Sequence, residues 1–276
     1  MASCSANYCL KFSSNSSVSN SLRYMIYNGE LLEWQPSEDL YLYQNVHTLD
    51  YKPWHLKHHI DILNLSAEKL FGNEATLSEQ KIRGEIELLL DRSRHTRNVS
   101  ICVVLRLYST GDYSLHVGQV GIYRGYVMRS LRPVAICLKM GATLSNYPTS
   151  ALKASHDLAR QIALAKDCHE AIMIDEAGFV VEDPLRPVAI INQYTLTMPS
   201  PELCSVECLL MERAAEKHGL KVAYSRITQE QIEQADEVLM MTHQGITSVE
   251  RIGQKYYYST LADKIASNLE SVEIKD

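Results

Sequence analysis

The sequence predicts an α+β fold divided into two domains. Three observations carry that expectation. The 276 residues are long for one hydrophobic core and comfortable for two. Segments with the two-residue alternation of strands sit beside segments with the 3.6-residue period of helices, in both halves of the chain. Between the halves, residues 139–150 carry Gly141, Asn146 and Pro148 with little periodicity, which reads as an interdomain connection. The expected division is a frayed N-terminus over 1–23, a small α+β domain over 24–140, the connection over 141–150 and a larger α/β domain over 151–276.

The N-terminal elements follow in order. Residues 24–32 read as two short strands joined by a turn at Asn28-Gly29, two residues that tolerate positive φ. Residues 41–49 alternate as a third strand. After Pro53, residues 58–70 place Ile62, Leu65 and Leu70 at helical spacing, and Gly72 suits a helix stop. A second helix is expected over 78–92, with Ile82, Ile86, Leu89 and Leu90 inward. Residues 99–108 are nearly continuous in apolar and β-branched side chains, Gly111-Asp112 turns, and 113–120 alternate. A strand over 134–138 closes this domain.

In the second half, a helix is expected over 151–166 with Leu158, Ile162 and Ala165 as its apolar stripe. Residues 171–174 and 179–181 flank a turn at Asp175–Gly178 and read as a hairpin. One strand is expected over 188–197. A helix over 203–218 places Leu203, Val206, Leu210 and Ala214 on one face. A strand over 238–241 and a helix over 261–269 complete the chain.

Composition excludes several function classes. The net charge is −6, which argues against a general binder of phosphate backbones and so against a nucleic-acid partner. No apolar run is long enough to span a membrane. The seven cysteines are odd in number and form no CxxC pair, so neither a disulfide framework nor a zinc site is indicated. Cys102 and Cys137 lie in apolar runs and read as buried, reduced thiols, which implies a cytoplasmic setting. The Ser- and Asn-rich first twenty residues lack the apolar core of a signal peptide. His55, His58 and His59 read as a solvated helix start rather than a metal cluster. Arg106, Arg124, Arg129 and Arg132 either face a cleft and bind a substrate carboxylate or are exposed strand arginines. There is no glycine-rich phosphate loop and no GxSxG elbow.

Six motifs in order resemble the class IV aminotransferases, the group of branched-chain and D-amino-acid aminotransferases and aminodeoxychorismate lyase. Asn28-Gly29 matches the opening strand pair. His59, Leu63, Ser66 and Ala67 keep His-x-x-Arg-Leu-x-x-Ser-Ala, with Ile62 in place of the arginine. Asp175, Gly178, Val180 and Glu182 match the hairpin ending in glutamate. Gly219 to Val222, Ala235 to Leu239 and Ile246 to Val249 match three later pieces. The likeness spans roughly residues 24–260 and implies the family's two-domain fold and a homodimer. Fold alone does not settle activity.

Family chemistry uses pyridoxal 5'-phosphate (PLP), which needs a Schiff-base lysine, an acid against the pyridine nitrogen and donors for the phosphate. By resemblance, Glu182 stands where the ring-nitrogen acid stands. Ser205, Val206 and Thr242 stand in the two phosphate loops, with Glu207 replacing a threonine. The register that runs back from Glu182 puts Thr149 where the lysine belongs; a second register gives Thr143 or Ala142. Lys153 is the displaced candidate for the Schiff base and Lys139 a weaker one. Lys153 also has a plain reading as the partner of Asp157 in an i,i+4 ion pair. Two functions follow. One is a divergent PLP enzyme, transaminating or cleaving an amino or keto acid. The other is an inactive homologue that binds a small molecule or a protein.

Overall fold

The computed structural model describes residues 23–37, 39–72, 77–129, 131–199 and 204–274. The N-terminal half holds β1 (Tyr24–Tyr27), β2 (Glu30–Glu33), β3 (Tyr41–Leu49), β4 (Lys52–Pro53), α1 (Leu56–Phe71), α2 (Glu79–Arg92), β5 (Ile101–Tyr108) and β6 (Tyr113–Val120). Its six strands form one sheet in the order β2-β1-β6-β5-β3-β4. Asn28 (φ 50°) and Gly29 (φ 94°) make the β1–β2 turn, as their sequence predicts. Ser78 caps α2, accepting from the Lys81 N–H, and Gly72 ends α1 at φ 63°. Ile60 and Leu63 of α1 join Ile82, Ile86 and Leu89 of α2 in a core over Val46, Val103 and Leu105 of the sheet.

The rest is a four-layer stack. Its elements are β7 (Val127–Met128), β8 (Val134–Lys139), α3 (Ser150–Leu164), β9 (Glu170–Ile174), β10 (Val188–Asn192), β11 (Thr195–Met198), α4 (Val206–Lys217), β12 (Lys221–Tyr224), α5 (Gln229–Gln234), β13 (Glu237–Thr242), β14 (Gly245–Ser248), β15 (Arg251–Ile252), β16 (Lys255–Tyr256) and α6 (Thr260–Asn268). One sheet runs β12-β11-β10-β13-β14-β7 and the other β16-β15-β8-β9. Ile172, Ile174, Ile190, Val238 and Met240 fill the space between the sheets. Ala189, Ile191, Leu239 and Met241 face the other way, toward Leu210 and Ala214 of α4 and Ile265 of α6. The period-two alternation of β10 and β13 thus serves two cores at once.

Several expectations need correction. The strand expected over 134–138 was assigned to the first domain, but β8 pairs with β9 and β15, and β7 pairs with β14. We therefore place the domain division between β6 and β7 instead of at residue 140. The single strand expected over 188–197 is a hairpin, turned at Gln193 with φ 54°. Leu65 is exposed on α1. His59 is buried, not solvated: its Nδ1 lies 2.7 Å from Gln44 Oε1. The stripe expected on α3 is rotated. Ala159 and Ala163 are buried against Ala171 and Met173, while Leu158 is 53% exposed. The cause is steric, because alanines let the helix approach the sheet closely and the larger leucine is turned outward. Leu203 lies outside the described residues. Cys102 is buried and Cys137 half-buried, and the five described cysteines are free.

This packing makes opposite demands on neighbouring α3 positions. Ala163→Leu is expected to cost about 1–3 kcal/mol by overpacking, whereas Leu158→Lys stays within about 0.5 kcal/mol. Urea unfolding of both variants measures the difference; equal losses would place the buried face elsewhere.

Candidate functional site: a cleft between the two halves

A cleft of about 870 Å³ lies between the N-terminal sheet and the C-terminal stack. Tyr43 and Asn45 of β3 and Gln119 of β6 line one side. Thr242 at the end of β13, His243 and Gln244 of the following turn, and Lys153, His156 and Arg160 of α3 line the other. The wall is held by backbone pairing. The Val127 N–H donates to Gln244 O, and the Arg129 N–H donates to Ile246 O, both at 2.9 Å. Gly245 permits this approach. Its φ is +130°, and a Cβ there would run into the Val127 backbone.

Of the residues singled out from the sequence, the cleft brings together Arg129, Lys153 and Thr242. Thr242 is half-buried, and its Oγ1 accepts from the Gln244 N–H at 3.3 Å. Lys153 Nζ lies 2.6 Å from Asp157 Oδ2, and the two side chains are 49% and 64% exposed. Glu182 is elsewhere. It lines a separate hollow of about 330 Å³ with Ala142, Asn146 and Arg226, and its chain neighbour Asp183 faces the main cleft. Lys139 is exposed at the end of β8 and lines neither space.

Thr149 occupies its position for a structural reason. It is 7% exposed and caps α3, its Oγ1 accepting from the Leu152 N–H at 3.1 Å. The segment around it is stitched to β3: the Tyr43 N–H donates to Pro148 O at 2.8 Å, and the Tyr41 N–H to Ser150 Oγ at 3.1 Å. Ile62 is buried on α1.

At the start of α4, Ser205 is fully buried and accepts from the Cys208 N–H at 3.1 Å, while Val206 belongs to the core under the sheet. Glu207 is 2% exposed. Its Oε2 has no hydrogen-bond partner. Burial pushes its carboxyl up to about 8; its own backbone N–H pulls the other way, and the Asp183 charge adds to the rise. A helix N-terminus favours a carboxylate by about 0.3–1 kcal/mol, up to about 2 when partly buried. Loss of solvation costs several kcal/mol and wins, so Glu207 is largely a neutral acid at pH 7.

Residues missed from the sequence also shape the site. Asp183 Oδ1 accepts from the Leu185 N–H at 2.8 Å, and Oδ2 lies 2.9 Å from His156 Nε2, off the line of a hydrogen bond. His156 Nε2 is sealed against Asp183, and His156 Nδ1 and His243 Nε2 are sealed without a hydrogen-bond partner. His47 Nδ1 lies 2.8 Å from His243 O, and its ring packs against Trp54 and Tyr126. Burial pushes His47 and His243 down to about 4 and His59 to about 3, so all three are neutral at pH 7. Spacing carries no sign of His47, His156 and His243 as a set, because they come from β3, α3 and the β13–β14 turn. Of the four arginines proposed as cleft-facing, Arg129 lines the cleft. Arg124 pairs with Asp50, Arg132 donates to the carbonyls of Val249 and Tyr257, and Arg106 stacks on Tyr41.

The family model for amino-transferase class IV matches residues 42–252. The chain belongs to the class IV aminotransferase family. Solved members share its fold at low identity. A branched-chain aminotransferase from Thermoproteus uzoniensis, solved with norvaline, superposes with a TM-score of 0.74 at 15% identity, over 90% of this chain and 94% of that one. A hypothetical aminotransferase from Mycobacterium tuberculosis, bound to α-ketoglutarate and PMP, gives 0.73 at 15%, over 90% and 98%. A putative 4-amino-4-deoxychorismate lyase from Legionella pneumophila gives 0.67 at 17%, over 84% and 90%. No curated protein matches by sequence. No helix among the described residues is long and apolar enough to cross a membrane.

Glu207 and the histidines act on stability with opposite signs. The folded state keeps the Glu207 proton to about 8, while the unfolded chain releases it near 4.5. Its stabilising contribution is therefore complete below about 4.5 and is lost as pH rises toward 8. The buried histidines stay neutral in the fold down to about 4, while unfolded histidine protonates near 6.5, so stability falls as pH drops between those values. Glu207→Gln copies the neutral acid. Its stability advantage over the parent is expected to grow between pH 5 and 8 with a slope approaching ~1.4 kcal/mol per unit, leaving the acid limb unchanged. Urea titrations across pH measure this, and a pH-independent difference would rule out a buried proton on Glu207.

Proposed function

We propose that this chain is a small-molecule binding member of the class IV aminotransferase family that works without a PLP Schiff base. The observation that carries this reading is Glu207, a buried carboxyl at the N-terminus of α4, where the resemblance puts a phosphate-binding threonine. Phosphate sites on helix N-termini use free N–H groups and favour cations nearby. Here Ser205 takes the Cys208 N–H, and Glu207 brings a group that repels an anion whenever it ionises. Ile62 supplies no charge in place of the family arginine. PLP, when bound, supplies an electron sink, and it relies on a lysine and on phosphate donors. Thr149 serves as a helix cap at the lysine position. The residues present do not fit that group.

A second reading, a divergent PLP enzyme acting on an amino or keto acid, draws on Lys153, which lines the cleft. Its amine is committed to Asp157 on a solvated helix face. A Schiff-base lysine must instead be desolvated or otherwise lowered in pKa to act as a nucleophile.

Purified protein incubated with PLP is expected to develop no internal-aldimine absorbance, and borohydride to fix no PLP onto a peptide. A reduced adduct on Lys153 or Lys139 would overturn the proposal and restore the enzyme reading.

A further inference from the structure

A second cavity, of about 670 Å³, opens in the N-terminal half and shares no lining residue with the cleft. Met25 and Tyr27 of β1, Leu32 and Glu33 of β2 and Tyr108 at the end of β5 line it, with residues of the β2–β3 and β5–β6 connections. Its size is that of a small-molecule pocket. Part of its wall is apolar and open to water: Leu32 is 43% exposed, and Leu40 on the β2–β3 connection is 73% exposed. Two such side chains on one concave wall offer apolar surface to whatever enters.

The charged groups on this wall have one sign. Glu33, Asp39 and Asp112 line the cavity, and among the described residues no lysine, arginine or histidine does. Asp112 is pinned: Asn28 Nδ2 donates to its Oδ1 at 2.7 Å and Thr110 Oγ1 to its Oδ2 at 2.6 Å. These bonds, that from Thr110 foremost, hold its carboxyl below the usual carboxylate range, so it is ionised at neutral pH. Like charges around a concave wall reinforce one another's field. Aromatic faces carry the same sign, because the face of a tyrosine ring is partly negative. The Tyr27 and Tyr108 rings lie 6.2 Å apart at 49°, and Tyr41 meets Tyr108 edge-on at 6.0 Å. Tyr108 Oη lies 3.3 Å from Ser114 Oγ. The rings are therefore braced before any ligand arrives, which lowers the cost of binding. A bare metal ion does not suit this wall: among the described residues, no three acidic, histidine or cysteine side chains converge to hold one.

We propose that this cavity binds a small organic cation, an alkyl- or quaternary ammonium whose charged head meets Asp112 and the Tyr27 ring and whose apolar body lies against Leu32 and Leu40. The two halves of such a molecule match the two kinds of wall. A cation over a tyrosine face gains from the ring quadrupole, and more so as it leaves water. Met25 and the leucines take up the hydrocarbon part, which a hydrated inorganic cation lacks. Asp39 and Glu33 add charge at longer range and draw the ligand in. The site belongs to the N-terminal half alone, so it stands or falls separately from the PLP-free reading of the cleft.

Calorimetric titration of the full chain with choline and with benzyltrimethylammonium tests it, with the neutral carbon isostere of choline and with magnesium alongside. Saturable binding of at least one ammonium ion, weakening as salt is added, is the expected result. The neutral isostere should bind about ten-fold more weakly than choline or worse. Tyr27→Leu is expected to weaken ammonium binding about three-fold to thirty-fold, the loss of one cation–π face. Asp112→Asn keeps the shape of the side chain without its charge and should weaken binding to a similar degree. Asp61→Asn removes the same charge from the exposed side of α1 and should bind as the parent does. Thermal melts of each variant confirm that it folds, and should Asp112→Asn disturb its turn, Asp39→Asn carries the charge comparison. No saturable ammonium binding, the neutral isostere bound as tightly as choline, magnesium bound more tightly than either ammonium, or unchanged binding in both Tyr27→Leu and the charge variant would each overturn the assignment. Borohydride treatment with PLP, which reads the cleft, leaves each of these outcomes as it stands.

Discussion

A carboxyl group sealed at the N-terminus of α4 is the constraint on which the proposed loss of the cofactor's phosphate site depends. Glu207 is nearly inaccessible, lacks a partner for one oxygen and is held largely neutral by the cost of burying its charge. Its position could hardly be more consequential. A helix start that offers N–H groups to an anion is a general device for holding phosphate. Here Ser205 closes part of that start and Glu207 fills another part with the protein's own acid. The fold tolerates this because the proton stays on the group.

The other altered positions have structural employment as well. Thr149 is the cap of α3, and its neighbours tie the helix start to β3 of the opposite half. That stitching ties the start of α3 to the strand that carries Tyr43 and Asn45, while the pairing of β7 with β14 across Gly245 fixes the wall that carries Arg129. The cleft keeps its shape through backbone hydrogen bonds whose geometry does not depend on a cofactor. Charged side chains of both signs line it, Arg129, Lys153, Arg160 and Arg186 beside Asp157, Glu170 and Asp183.

Much of the fold is legible in the sequence because it rests on local rules. The Asn28-Gly29 turn and the Ser78 and Gly72 caps each follow from residues near in the chain, whereas β3 is buried on both faces where its sequence suggests alternation. The failures have a common cause in long-range packing. Nothing within α3 says that Ala159 and Ala163, rather than Leu158, face the sheet, because the choice depends on how close β9 lies. The placement of β8 depends on its partners β9 and β15, which follow it in the chain. For the site, motif order recovers the family and singles out Thr242, which lines the cleft; it puts Thr149 at the lysine position and leaves Lys153, which also lines the cleft, as a displaced candidate. Glu182, the ring-nitrogen acid by resemblance, lines a separate hollow, and its neighbour Asp183 lines the main cleft. Glu170 pairs with Arg129 and Arg186 in the cleft, a group spread over 58 positions of sequence with no motif, so only the fold assembles it.

The central claim is that the anion site of α4 is filled from within. A crystal structure of the protein grown with excess PLP tests it most directly. The account predicts Glu207 buried against its own backbone N–H, Thr149 capping α3 and no cofactor joined to a lysine. A phosphate group seated on the first N–H groups of α4, with the Glu207 side chain swung out into solvent, would contradict it.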